Sequence, residues 1–212
     1  MTTPARTPLI LLGGGGHAAV VADCATRTSR FSIAFAADTE PRDLCALHAA
    51  VWLGEVSAAK LAGALREGAR LHAAVGDGEL RMRWLTAFGA EHFHSIIDPS
   101  AVVSTSASLG AGTFIASRAI VNARATIGAA CIINSGAIVE HDCVLEDGVH
   151  VSPGSILCGT VCVGTLTHIG AGAVVLPGIR IGARVRVGAG AVVTKDVVDD
   201  ATVVGVPARS AC

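Results

Sequence analysis

The chain has 212 residues, 51% of them apolar, with sixteen basic against seventeen acidic side chains and a net charge of -1. That is ample material for a core, and it leaves no global field that would recruit nucleic acid or an anionic membrane. Only 3% of residues are aromatic, beside 25 Gly and no Tyr, so the core has to be built thinly from Val, Ile, Leu and Ala.

In chain order, the first strand candidate is Leu9 to Leu12, too short for a membrane span and followed by glycines rather than a cleavage site. Helix His17 to Thr26, strand Ser32 to Ala36, helix Ser57 to Glu67, strand Leu71 to Val75 and helix Glu79 to Phe88 follow. Residues 1–94 therefore read as a small α/β, Rossmann-like βαβ domain with three or four parallel strands. Gly13-Gly14-Gly15-Gly16-His17 lies between strand and helix, where bare amides can approach a diphosphate. Gly13-x-Gly15-x-x-Ala18 with Asp38 downstream also fits the dinucleotide pattern loosely.

From Ile97 the rhythm changes. An aliphatic residue recurs at every sixth position through Val193, seventeen hexads without a slip, far beyond coincidence when roughly one residue in four is Ile, Val or Leu. Four places after each comes a small or β-branched residue, such as Ala119, Ala125, Cys131 or Ala137. One aliphatic and one small inward residue per hexad fit a narrow prism of stacked coils. An ordinary antiparallel sheet would not repeat its turns every six residues.

Seven cysteines (24, 45, 131, 143, 158, 162 and 212), with no CxxC pair, suit buried, reduced thiols of a cytoplasmic protein better than a disulfide framework. The turn Glu140-His141-Asp142 sets a histidine between two carboxylates. That arrangement suits a general base, whose tautomer a carboxylate would fix, and equally a solvated polar corner.

Asn134-Ser135-Gly136, then Glu140-His141-Asp142-Cys143, Val149-His150-Val151-Ser152-Pro153-Gly154 and Gly205-Val206-Pro207-Ala208-Arg209 resemble the hexapeptide-repeat acyltransferases. Within them the chain looks like the nucleotide-sugar N-acetyltransferases and the sialic-acid O-acetyltransferase-like subgroup. The resemblance implies a left-handed parallel β-helix of about six eighteen-residue coils over residues 95–199, with a tail at 200–212. Residues eighteen apart would then stack, His150 over His168 and Asn122, Glu140 and Cys158 in another column.

It further implies a cytoplasmic homotrimer without a membrane span, with active sites between subunits, taking acetyl-CoA and a UDP- or GDP-linked 4-amino sugar and no metal. His141 is then the base, with Asp142 and Glu140 beside it. The substrate falls to Gly13, Gly14, Gly15, Gly16, His17, Asp38, Gly76, Asp77, Arg81 and Asn134. Acetyl-CoA falls to His150, the Gly159 amide, His168, Ala171, Arg180, Arg186, Pro207 and Ala208, with Arg184 and Lys195 as further phosphate partners. Ala19, Ala37 and Gly78 depart from the pattern and leave base and sugar open. Transfer to a sugar hydroxyl, a zinc hydratase using His141, His150 and His168, and a non-catalytic trimeric scaffold stand as alternatives.

Overall fold

The computed structural model describes residues 6–211. The chain opens with β1 (Thr7–Leu12), α1 (Gly16–Arg27), β2 (Phe31–Ala36), α2 (Arg42–His48), β3 (Val51–Trp52), α3 (Ala58–Arg66), β4 (Arg70–Ala73) and α4 (Gly78–Phe88). The strands form one parallel sheet in the order β3-β2-β1-β4. Central β1 is apolar from Pro8 on and Leu9 to Leu12 are buried, as a strand covered on both faces requires. Neither α2 nor β3 was anticipated. No side chain of α2 is buried and β3 is a two-residue exposed edge, so neither carries an apolar period.

After a 3₁₀ turn at Ala90–His92 the chain enters the prism. Each hexad contributes a two-residue strand, and parallel partners lie eighteen residues apart, Thr126 opposite Val144 and His150 opposite His168. The strands stack into three faces. The first begins with Ile96–Ile97, the second with Val102–Val103 and the third with Ser108–Leu109. From Ile115 to Val193 every sixth aliphatic residue is no more than 3% exposed. Those of the first coil, Ile97, Val103 and Leu109, are only partly covered because nothing stacks above them.

The small inward position has its own logic. Where it is polar or a thiol, it donates to the carbonyl fifteen residues on: Thr113 to Gly128, Cys131 to Glu146, Cys143 to Cys158, Ser155 to Gly170 and Thr167 to Gly182. Each buried donor is thereby satisfied without widening the prism. Burial pushes the Cys131 thiol up to about 12 and that of Cys143 to about 11. The six described cysteines are free, Cys45, Cys158 and Cys162 being only partly buried; Cys212 lies outside the described residues.

Corners demand a left-handed residue every six positions, from Gly112 to Gly190. Half of these positions are not glycine: Arg118, Arg124, Ala130, Asp142, Thr160, Leu166 and Arg184. Each costs on the order of 1 kcal/mol, which the stacked coils must offset. The glycine directly after the aliphatic residue serves a different need. A Cβ on Gly170 would stand 2.6 Å from the Ala189 nitrogen of the next coil.

The tail residues 200–211 lie along the prism. Thr202–Val204 pairs parallel with Arg186–Val187 on the first face and Arg209–Ser210 folds back antiparallel on it. The α/β domain packs on the upper first face, burying Ile96, Phe114 and Ile132 beneath α1. No described helix is long and apolar enough to cross a membrane.

Candidate active site

His141 stands at the corner between the second and third faces, 54% exposed at its side chain, with Nδ1 2.8 Å from Oδ2 of Asp142. That contact makes Nδ1 the protonated nitrogen and leaves the Nε2 lone pair free. Asp142 occupies a left-handed corner position, and Arg124, one coil earlier, grips its two oxygens at 2.7 and 2.8 Å. The Arg124 guanidinium first, and His141 second, hold the Asp142 carboxyl well below the usual carboxylate range. Glu140 turns Oε2 toward the His141 N–H at 3.4 Å.

Gly159 lies one coil on, under the imidazole. A Cβ there would stand 2.7 Å from Cε1 and 2.8 Å from Nε2 of His141. Its own N–H has no protein acceptor among the described residues, so an unengaged donor lies one coil from the imidazole.

The other expected acetyl-CoA residues scatter. His150 and His168 project from the first face with rings 4.6 Å apart and nearly parallel. Asn134 Nδ2 is 3.2 Å from Nε2 of His150, and Ser152 Oγ 2.7 Å from Nε2 of His168. Arg186 lies below His168 on that face, whereas Arg180 is on the third. The two arginines therefore do not converge within one chain. Asn134 and Ala171 occupy the corner between the first and second faces, Ala171 exposed. Pro207 is exposed and Ala208 donates its N–H to the Val192 carbonyl at the foot of the prism. Lys195 and Ala208 line one groove there.

At the sheet's carboxyl edge Gly13 donates to the Ala36 carbonyl at 2.8 Å, which sets the glycine loop beside the segment leading to exposed Asp38. Helix α1 has Gly15 as N-cap, no side-chain cap and no acidic residue in its first turn, leaving its amides open to an anion. A cavity of about 520 Å³ joins Gly14, Gly15 and Gly16 to Ala19, Glu40, Arg42 and Asp43. Sequence reasoning missed Glu40 and Arg42 because they sit on the unanticipated α2 and its approach.

One expectation for substrate contact needs correction. Arg81 is buried to 1% and all three guanidinium nitrogens are engaged, Nε with Ala130, Nη1 with Val75 and Gly76, Nη2 with the Gly148 carbonyl. It ties the β4–α4 loop to two successive coils and cannot reach a ligand. Asp77 caps α4 by accepting from Leu80 N–H at 3.0 Å. The loop it belongs to still lines a second cavity of about 520 Å³ in which Gly76 and Asp77 face His150, His168, Arg184 and Arg186.

Arg81 sits among histidines. Burial, aided by its charge, lowers His17 to about 4 and His150, with His168 also contributing, to about 3; fully buried His72 falls to about 4. These imidazoles are neutral in the fold, while an unfolded chain takes up their protons near pH 6.5. The unfolded state then binds more protons, so stability is lost as pH falls from about 6.5 to about 4, on the order of a few kcal/mol in sum. The unfolding midpoint should drop steeply across that window. A midpoint constant between pH 7 and 4.5 would contradict the neutral cluster.

Residues 8–88 match the PglD N-terminal domain, residues 118–153 the hexapeptide repeat of succinyl-transferase and residues 163–195 the bacterial transferase hexapeptide (six repeats). No curated protein sequence gives a significant match. Among solved structures, a histidine-to-asparagine variant of perosamine N-acetyltransferase from Caulobacter crescentus, in complex with CoA and GDP-perosamine, is 35% identical. Its TM-score is 0.86 and coverage of both chains is 100%. The acetyltransferase domain of PglB from Neisseria gonorrhoeae, in complex with acetyl coenzyme A, is 31% identical with a TM-score of 0.86, covering 98% of this chain and 100% of that one. WeeI from Acinetobacter baumannii shares the fold at 21% identity and a TM-score of 0.78, over 97% of this chain and 100% of that one.

Proposed function

The chain belongs to the hexapeptide-repeat, left-handed β-helix acetyltransferases of nucleotide amino sugars that carry a PglD-type N-terminal domain, and from that premise we propose that it moves the acetyl group of acetyl-CoA onto the amino group of a nucleotide-linked sugar. The observation that carries this reading is the His141–Asp142 pair standing over the open Gly159 amide. The sugar amine attacks the thioester carbonyl, and Nε2 of His141 takes the proton it sheds. Negative charge gathering on the carbonyl oxygen is met by the Gly159 N–H. Collapse of the tetrahedral species breaks the C–S bond, and the imidazolium returns its proton to the leaving thiolate. No covalent enzyme intermediate is needed, consistent with the Cys131 and Cys143 thiols being spent on buried hydrogen bonds. That the Caulobacter relative holds CoA and GDP-perosamine with a histidine replaced fits a histidine that serves chemistry more than binding.

The sugar nucleotide's diphosphate is assigned to the amides of Gly14 to Gly16, with Asp38, Glu40 and Arg42 toward the nucleoside. Acetyl-CoA is assigned to Gly159, His150, His168, Ala171 and the lower coils. One chain does not gather these groups: His141 borders the second face on one side, Asn134 and His150 on the other. Between them that face presents Val102, Ile120, Ile138, Ile156, Val174 and Val192 outward, an apolar stripe suited to burial against another copy. A cyclic homotrimer packed there would bring the His141 edge of one subunit to the Asn134 edge of the next. The composition and free thiols support a cytoplasmic setting.

The test is thiol release from acetyl-CoA against UDP- and GDP-linked 4-amino sugars and sialic acid, with mass analysis of products and the sedimenting species recorded. Turnover of one amino sugar by a trimer is expected. Activity confined to sialic acid would move the reading to O-acetylation, and an active monomer would overturn the shared site.

A further inference from the structure

We propose that Arg124 is a positioning residue for acyl transfer, holding the Asp142 carboxylate at the angle and charge that keep His141 a working base; this rests on His141 being that base. Asp142 Oδ1 is taken by Arg124 Nε, while Oδ2 is shared between Arg124 Nη2 and His141 Nδ1. A planar fork on both oxygens removes the rotation that a half-exposed carboxylate otherwise keeps. Backbone geometry prepares the clamp. Both residues occupy left-handed corners stacked one coil apart; Arg124 N–H is anchored to Ser106 Oγ and Asp142 N–H to the Ala123 carbonyl.

The same fork recurs at Arg184 and Asp200. There no imidazole shares the carboxylate, so a corner clamp is a device of the fold, and the shared oxygen is what gives Arg124 a role in the reaction. Electrostatically, the guanidinium offsets the Asp142 charge. An unclamped aspartate would set its full charge against the ring and favour the cationic imidazole, which has no lone pair to offer. The groups facing the pair are Arg124 from the coil before and Glu140 on the same turn; Gly159 from the coil after carries no charge.

The experiment compares kcat, KM and the pH profile of kcat/KM for Arg124→Met, Arg124→Lys and His141→Ala, with thermal unfolding as a check on folding. Arg124 is 66% exposed at its side chain, so both substitutions should fold. Arg124→Met should lower kcat about tenfold, leave both KM values unchanged and move the acidic limb of kcat/KM upward by about half a unit or more. The substrate amine titrates identically in every variant, so a displaced limb reports the enzyme. Arg124→Lys, a point charge without the fork, should restore the limb and only part of kcat. An Arg124→Met enzyme with wild-type kcat and limb, or with reduced kcat and an unmoved limb, overturns the assignment. Should His141→Ala itself keep its rate, the base reading fails first; a collapsed His141→Ala beside an unaltered Arg124→Met defeats Arg124 alone.

Discussion

His141→Ala is expected to lower kcat by about 10²- to 10⁴-fold while KM for acetyl-CoA and sugar nucleotide changes little, which steady-state kinetics on the purified enzyme would read. The separation follows from what the imidazole touches. Its contacts are Asp142, the Gly159 backbone and solvent, so its removal opens no cavity and breaks no packing. What disappears is the lone pair on Nε2, and without it the attacking nitrogen must shed its proton to water. His141→Gln, able to hydrogen-bond but not to titrate, should be as poor as alanine. A glutamine variant near wild-type rate would show that the histidine only positions substrate.

Gly159→Ala should cost about a hundredfold in kcat with the fold intact, the scale expected when a reacting group is displaced by about 1 Å. The glycine is not in the left-handed region, so its backbone accepts an alanine. The added methyl instead meets the imidazole at 2.7 Å from Cε1, well inside van der Waals contact. The ring must swing, and the clamped Asp142 cannot follow without leaving Arg124. The same methyl would crowd the approach to the Gly159 N–H, so base and oxyanion donor fail together. Unchanged turnover in Gly159→Ala would mean that the imidazole works from a different rotamer, and the proton path drawn through Nε2 would fall.

Much of this molecule was legible in the sequence because its physics is periodic. A period of six lets each hexad state its own burial, so the inward aliphatics and small residues could be named without coordinates, and the stacking of His150 on His168 followed once the family resemblance supplied three hexads per coil. The open glycine loop was equally readable, since bare amides at a helix start leave few alternatives. Elements without a buried stripe, α2 and β3, left no period and were missed, and Glu40 and Arg42 with them.

What repetition could not convey is which groups face one another across faces or between domains. Charge alone made Arg81 a candidate for substrate; only its burial under two coils, with every nitrogen on a carbonyl, turned it into the tie between domains. Arg180 and Arg186 were separated by a prism edge. Arg124 carried no motif at all. Its partner is eighteen residues away, and a bidentate grip depends on two left-handed corners stacking. The sequence by itself determined the repeat, the core and the residue types available for acyl transfer, because these follow from local pattern and burial. Only the tertiary structure decided which of those residues share a corner and which are consumed in holding the fold, because direction and competition for hydrogen-bond partners arise when distant segments meet.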